Sequence, residues 1–356
     1  MATDEPRRLR VGVIGAGMMA SSQHIPGLLQ TGEVEVVAVC RRDPEALATV
    51  ADRFGVPHRY ADYRRLLDEA PVDAVVVSSP HGLHFEHVRA ALERSLPVLT
   101  DKPLAVAAAE AEALRALARE REVPLILAVG PPYSPAWRYF EQEIARDAVG
   151  PIQLAQQVTA SNVDAFGFFG RGAFPPSYPV VVPPTPFRAD ADLGGGGYLQ
   201  DVGSHSIAGI LIATGLRPVE VTATMDRPDV DLRATVAVRC EGGALASVTV
   251  LANAFRDDSE YRDLGHTLLL GTKGSLSRDG RTRQVLEHRW GEPAAPVDDA
   301  RLPPPSSPAA NFVGVVRGRE TPLVPLDAAV ETVRVIEAAY RSARERRPVP
   351  VTALAT

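Results

Sequence analysis

The sequence predicts an α/β fold: a doubly wound parallel sheet, followed by a smaller-featured α+β region built on a large, mostly antiparallel open sheet. Three observations predict it. Short apolar runs alternate with helix-like stretches over the first third of the chain. A glycine-rich turn ends the first of those runs. From about Pro151 onward, strand-like runs follow one another through tight turns.

The apolar runs are Leu9–Ile14, Val34–Cys40, Ala74–Val77, Pro97–Leu99 and Val123–Val129. They lack polar alternation, as strands covered on both faces require. Between them lie the helix-like stretches Pro44–Phe54, Phe85–Ser95 and Ala105–Arg121. Such alternation marks βαβ units, whose right-handed crossovers wind a sheet on both sides. In the second part, Ile152–Ala160, Val219–Met225, Leu232–Cys240, Ala244–Leu251 and His266–Leu270 read as strands. Glu241-Gly242-Gly243 and Gly271-Thr272-Lys273-Gly274 supply turns between them, which indicates antiparallel neighbours. The junction is expected between residues 128 and 133, giving domains 1–130 and 131–356. Asp327–Arg346 is expected to be a long amphipathic helix after the last strand, with Val330, Val333, Ile336 and Ala339 on its apolar face. Two proline-rich segments, Phe174–Pro186 and Pro293–Pro308, read as extended loops. The first runs into a glycine cluster and is expected to shape the mouth of a site.

Composition narrows the function classes. The 356 residues are 45% hydrophobic and 23% charged, with 38 Lys plus Arg against 44 Asp plus Glu and a net charge of -6. A mildly acidic chain is poorly suited to gripping nucleic acid or an anionic membrane. No stretch reaches the roughly 18 consecutive apolar residues of a membrane span. The N-terminus, MATDEPRRLR, lacks the apolar core of a signal peptide. Only Cys40 and Cys240 occur, which fits a reducing, cytoplasmic setting.

Gly15-Ala16-Gly17-Met18-Met19-Ala20 follows the first strand and opens a helix-like segment. This is the G-x-G-x-x-G/A pattern of a Rossmann dinucleotide site. The first glycine permits a tight turn, the second admits a pyrophosphate, and the small third residue lets helix pack on strand. The amides at the helix start suit phosphate oxygens. The second strand ends in Cys40-Arg41-Arg42-Asp43, where NAD binders usually carry a carboxylate for the ribose. Arg41 and Arg42 can pair with a 2′-phosphate, so NADP is the first choice of cofactor and NAD the second. Asp43 reads as the cap of the helix begun by Pro44.

Asp101-Lys102-Pro103 comes just after a strand end, where ligands sit in open α/β sheets. An ammonium there can stabilise a developing alkoxide. Farther on, Asp201 and His205 follow the run Gly194–Gly197. If the chain is helical from Tyr198, they are i,i+4 neighbours, and a carboxylate beside an imidazole favours its protonated form or fixes its orientation. No third ligand makes this a metal site, and no G-x-S-x-G elbow is present.

The glycine fingerprint, Asp101-Lys102-Pro103 and the Asp201…His205 pair resemble, in order and spacing, the Gfo/Idh/MocA oxidoreductases. The likeness extends through Val98–Leu104, Ala148–Ile152, Phe187-Arg188 before the glycine run, and Tyr340–Ala343, covering essentially residues 9–351. It implies an NAD(P)-dependent dehydrogenase or reductase acting on a secondary alcohol or ketone of a sugar, sugar derivative or cyclitol. It implies Lys102 at the substrate oxygen and nicotinamide ribose, His205 as general acid/base, and Asp201 positioning the substrate or His205. Arg188 and Tyr133 are expected at the substrate; Ser79, His84 and Asp101 at the cofactor; His24 lies close to the phosphate turn. Three departures touch substrate identity. Pro131-Pro132-Tyr133 stands where the family often has Arg-Tyr or Arg-Phe, Ala208 where an aspartate is common, and the Phe174–Pro186 stretch looks long. Alternatives on this fold are an NAD-dependent glycoside hydrolase or lyase using transient oxidation, a dihydrodiol-type reductase, and a non-catalytic dinucleotide sensor. The open sheet suggests a homodimer or homotetramer.

Overall fold

A computed structural model describes residues 7–163, 167–169, 180–254 and 263–351. Among these residues, the first sheet contains β1 (Leu9–Ile14), β2 (Val34–Cys40), β3 (His58–Tyr60), β4 (Ala74–Val77), β5 (Val98–Asp101) and β6 (Leu125–Ala128). All neighbours are parallel, in the order β3-β2-β1-β4-β5-β6. Val11, Val13, Val75, Val76 and Val77 are fully buried, which is why these runs need no polar alternation. β3 escapes a sequence reading because it is three residues long, lies at the edge and is largely exposed. The strand order reverses between β1 and β4, and a crevice opens there beyond the strand ends.

The helices form for local reasons. Pro44–Phe54 starts where predicted: the Asp43 carboxylate accepts from the Ala46 amide at 2.9 Å, and the left-handed Gly55 ends it. His84–Glu93 and Ala108–Glu120 occupy the other two predicted stretches. The segment after the glycine turn is irregular, with a π-helical turn over Ala20–His24 before Ile25–Gln30.

The second sheet contains β7 (Ile152–Ser161), β8 (Pro218–Met225), β9 (Arg233–Cys240), β10 (Leu245–Leu251), β11 (Asp263–Gly271), β12 (Gly274–Asp279), β13 (Val285–Arg289), β14 (Ala295–Pro296) and β15 (Val349–Pro350). Its order is β14-β13-β12-β11-β7-β10-β9-β8-β15. β7 and β10 are parallel; the other pairs are antiparallel. The long C-terminal helix spans Leu326–Glu345. It does not close the fold as expected, because β15 follows it and pairs with β8. One sheet face is buried under Pro135–Ala145, Ser204–Thr214 and the end of Leu326–Glu345, around Phe140, Tyr198, Val248, Leu269 and Ile336. The opposite face stays partly open. In register across β10, β7 and β11 it carries Leu245, Leu154 and Leu270, then Ser247, Gln156 and Leu268.

Two late segments return to the first sheet. Phe312 and Val313 of the helix Pro308–Val316 join the cluster around Val13 and Leu28. Val330 and Val333 of the long helix join the cluster around Ala111 and Leu114. A single cut at residue 130 therefore assigns to the second domain two segments that pack on the first.

Candidate active site

The crevice between β1 and β4 continues past Val163 to Asp201 and His205 as one cleft of about 1380 Å³. That exceeds the space a small ligand needs and suits a dinucleotide with a substrate beside it. Gly15, Gly17, Met18, Met19, Arg41, Arg42 and Ser79 line one end. At Gly15 φ is +85°, and a Cβ would lie 2.5 Å from the Ser79 amide nitrogen, so the two turns meet backbone to backbone. Arg41 lies across the turn, its guanidinium donating to the Ala16 carbonyl at 3.2 Å. Arg42 and Asp43 line the cleft, and one oxygen of the Asp43 carboxylate caps the following helix. The paired backbone turns, the helix start at Met18 and the two guanidinium groups fit a dinucleotide. Pro183–Pro186, the described end of the proline-rich loop, line the same cleft; residues 174–179 of that loop lie outside the described residues.

At the other end, Lys102 projects from just beyond β5, and its peptide bond to Pro103 is cis. Its ammonium donates to the Asp201 Oδ1 carboxylate oxygen and, at 2.7 Å, to the Asp201 carbonyl. Arg188 Nε donates to Asp201 Oδ2 at 2.8 Å. The Arg188 guanidinium lies 4.9 Å from the Phe168 ring centre and 4.4 Å from that of Phe187, which holds its direction. Burial alone would raise the Asp201 pKa, but Arg188 and then Lys102 hold it well below the carboxylate range. Burial pushes the Lys102 amine below its usual range, and Asp201 restores part of that.

His205 is the second residue of the helix Ser204–Thr214. Its Nδ1 accepts from the Gly130 backbone amide at 2.9 Å. A backbone N–H can only donate, so Nδ1 carries the lone pair and the neutral ring carries its proton on Nε2. Burial, reinforced by Lys102, pushes the ring pKa down to about 3. His81, in a short turn after β4, is arranged the opposite way. Its Nδ1 donates to the Gly194 carbonyl at 3.0 Å, and its bare Nε2 stands 3.6 Å from Asp201 Oδ1.

The turn that carries Asp201, a π-helical stretch over Leu199–Gly203, is fixed from behind. The Tyr340 hydroxyl donates to Asp231 Oδ1 at 2.5 Å and accepts from the Gly197 amide at 2.9 Å. A Cβ at Gly197 would lie 2.1 Å from the Asp231 carbonyl oxygen, so no other residue fits. Asp231 also accepts from the Leu199 amide at 2.9 Å.

Residues 9–129 match the GFO_IDH_MocA oxidoreductase family, with its NAD-binding Rossmann fold, and residues 165–277 match the GFO/IDH/MocA C-terminal domain. The chain belongs to the Gfo/Idh/MocA oxidoreductase family. It is 26% identical over 339 residues to D-xylose 1-dehydrogenase (NADP(+)) 2 of Haloferax volcanii, covering 93% of this chain and 96% of that protein. It is 32% identical over 252 residues to the dTDP-3,4-didehydro-2,6-dideoxy-alpha-D-glucose 3-reductase of Saccharopolyspora spinosa, 67% of each chain. Among solved structures, an inositol dehydrogenase homolog from Azotobacter vinelandii, complexed with NAD+, superimposes with a TM-score of 0.82 at 21% identity, covering 98% of each chain. That last likeness is one of fold.

As a Gfo/Idh/MocA oxidoreductase, the chain brings Lys102, Asp201, His205 and Arg188 together over the cleft, with Gly15, Gly17, Met18, Met19, Arg41, Arg42 and Ser79 along it. Other predicted contacts are displaced. The Asp201 carboxylate turns to Lys102 and Arg188 rather than to His205, because two cations outcompete a neutral ring. Tyr133 is buried, its hydroxyl donating to the Leu127 carbonyl at 3.2 Å, and does not line the cleft. Ala20 packs fully buried beneath the turn. His84 is sealed off too: its Nδ1 lies 2.7 Å from the Pro103 carbonyl and its Nε2 2.8 Å from that of Ser79, tying the two loops that carry Lys102 and His81. Asp101 reaches the cleft, but one oxygen meets His24 Nε2 at 2.8 Å and the other accepts from Ser78. His81 was absent from the predicted set, although Ser79-Pro80-His81 follows a strand end at the switch point and so pointed to it.

Proposed function

We propose that this chain transfers a hydride between a nicotinamide dinucleotide and a secondary alcohol, or the matching ketone, of a sugar, sugar derivative or cyclitol, with NADP preferred. One observation carries the reading: Lys102 from the first sheet and Asp201 and His205 from the second region converge in the cleft that begins at the glycine turn. When bound, the dinucleotide supplies the hydride acceptor or donor. The protein supplies position, charge and proton handling. Lys102 holds the substrate oxygen and stabilises negative charge on it. His205 donates an Nε2–H hydrogen bond to that oxygen or a neighbouring hydroxyl. Asp201 keeps the ammonium in place, and Arg188 keeps Asp201 ionised. The test is a panel of aldoses, sugar derivatives and cyclitols offered with NADP+ and with NAD+, followed by nicotinamide absorbance. Turnover with a member of the panel is expected; no turnover with either cofactor rejects the reading.

The two guanidinium groups of Arg41 and Arg42, with one oxygen of the neighbouring Asp43 taken by its helix cap, support NADP. Arg42→Ala is expected to raise the NADP KM about tenfold, the worth of one charge-assisted hydrogen bond, and to shift the NAD KM less than about twofold. Equal effects on both cofactors would reject a 2′-phosphate contact. The half-open leucine face of the second sheet supports a homodimer or homotetramer. Leu268→Arg is expected to yield a smaller species by light scattering; an unchanged mass would reject that face as the interface. The two cysteines are buried and unpaired, which supports a cytoplasmic setting. No described helix is long and apolar enough to cross a membrane.

A further inference from the structure

We infer that the substrate is an acid: a sugar derivative whose carboxylate is gripped by the two Nη groups of Arg188 while its reacting hydroxyl lies at Lys102 and His205. The inference rests on the hydride-transfer reading above and narrows its substrate class.

Arg188 keeps most of its donors unused. The residue is only 7% exposed and lines the cleft. A guanidinium carries five N–H donors in one rigid plane. The Nε donor serves Asp201 Oδ2 at 2.8 Å. Among the described residues, neither Nη meets a hydrogen-bond partner. Nor is either Nη sealed in the interior, since the unpartnered polar atoms cut off from open space belong to other residues. Both therefore open on the cleft. Buried polar groups are held at such depth by hydrogen-bond partners, and the partner still to be supplied here is a ligand.

The charge around Arg188 calls for one more anion. Lys102 and Arg188 share a single carboxylate, Asp201, through its two oxygens. Asp101, the other carboxylate beside Lys102, is engaged by His24 and Ser78. Asp190 also borders the cleft, but it is exposed, and one of its oxygens accepts from the Asp192 and Leu193 amides at 2.9 and 3.1 Å. Two buried cations thus face one buried anion. A carboxylate brings the single negative charge that balances them, whereas a phosphate monoester brings more.

Shape and polarity agree with charge. The guanidinium carbon lies 4.9 Å from the ring centre of Phe168 and 4.4 Å from that of Phe187, so the rings occupy its faces and a ligand meets its edge. That edge presents parallel N–H groups, which match the two oxygens of a carboxylate. Val163, Phe168, Phe187 and Val202 border the same cleft and bring no polar side chain. A neutral polyol would set hydroxyls against this hydrocarbon and lose their hydrogen bonds to water. An acid places its polarity at Arg188 and Lys102, which hold neighbouring oxygens of Asp201 and so set the two polar ends of the substrate side by side.

The test uses the full-length enzyme with NADP+ and with NAD+ on matched pairs: D-glucuronate with D-glucose and D-galacturonate with D-galactose, together with D-glucose 6-phosphate. An acid is expected to exceed its neutral partner by about 100-fold in kcat/KM, as a charge-assisted fork provides. Arg188→Lys keeps a cation on Asp201 but removes the fork, and is expected to cut the acid-to-neutral ratio by about tenfold or more. An equal fall for both members of a pair would assign Arg188 to Asp201 alone and overturn the inference. Neutral sugars turning over as well as their acids, or a preference for the phosphate, would overturn it too. Calorimetry needs neither turnover nor a variant: the same acids and neutral sugars are titrated into wild-type enzyme holding NADPH. The acids are expected to bind at least about tenfold more tightly; equal affinities, or no binding of the acids, overturn the inference. If the acids bind with that preference but no pair turns over with either cofactor, the hydride-transfer reading falls and the carboxylate site stands. If only the neutral sugars turn over, the hydride-transfer reading stands and the carboxylate site falls.

Discussion

Lys102→Met is expected to lower turnover by about 10³–10⁴-fold while changing NADPH affinity by less than about threefold. Methionine nearly matches the length of lysine, so the change removes charge and protons more than volume. Lost with them are the group that stabilises the developing alkoxide and the donor that exchanges its proton. Binding suffers little, because the glycine turn and the Arg41–Arg42 end hold the dinucleotide elsewhere in the cleft. The fold survives, because Asp201 keeps Arg188 as a partner. Steady-state kinetics together with NADPH fluorescence titration separate the two quantities. Turnover within tenfold of wild type would remove Lys102 from the chemistry.

Asp201→Asn has the second large effect, and it falls on stability as well as rate. The carboxylate is the shared counter-ion of two buried cations, Lys102 and Arg188. Neutralising it leaves both facing an amide, and breaking a buried pair from one side costs about 3–5 kcal/mol. Lys102 also loses its anchor, so turnover is expected to fall by at least about 10²-fold. The pH dependence has a definite sign. Burial opposes ionisation of Asp201, yet Arg188 and Lys102 hold its folded-state pKa far below the ordinary 3.8. Its contribution is therefore whole above that ordinary value and is lost as pH falls below it. Thermal unfolding from pH 7 to pH 3 is expected to show the wild-type advantage over Asp201→Asn intact near neutrality and shrinking in acid. A constant gap across that range would mean that the aspartate is not held ionised by its neighbours.

Much of this was legible in the sequence because it rests on short-range rules. Pro44–Phe54 has a cap, a first-turn proline and a terminal glycine, and each acts within a few residues. The valine runs of β1, β2 and β4 signal burial on both faces by themselves. The glycine turn carries its own steric demand. The illegible parts depend on partners far along the chain. The direction of the Asp201 carboxylate is decided by Lys102, 99 residues earlier, and by Arg188, so the i,i+4 spacing to His205 could not reveal it. The tautomer of His205 is decided by the amide of Gly130, 75 residues away. Tyr133 and His84 are residue types that suit a ligand, but their polar atoms were already claimed by backbone carbonyls. His81 depended on knowing which residue pairs with its second nitrogen, and Gly194 lies 113 residues on.

The hydroxyl of Tyr340 bonds an amide 143 residues before it, and that amide belongs to the glycine run leading to Asp201. During synthesis the glycine run leaves the ribosome long before Tyr340 does. Until then the Asp231 carboxylate lacks the phenol and the Gly197 amide lacks one of its acceptors. The turn that carries Asp201 therefore lacks its Tyr340 support until the helix Leu326–Glu345 docks. Assembly of that turn thereby waits on a residue made 143 positions after the amide it braces.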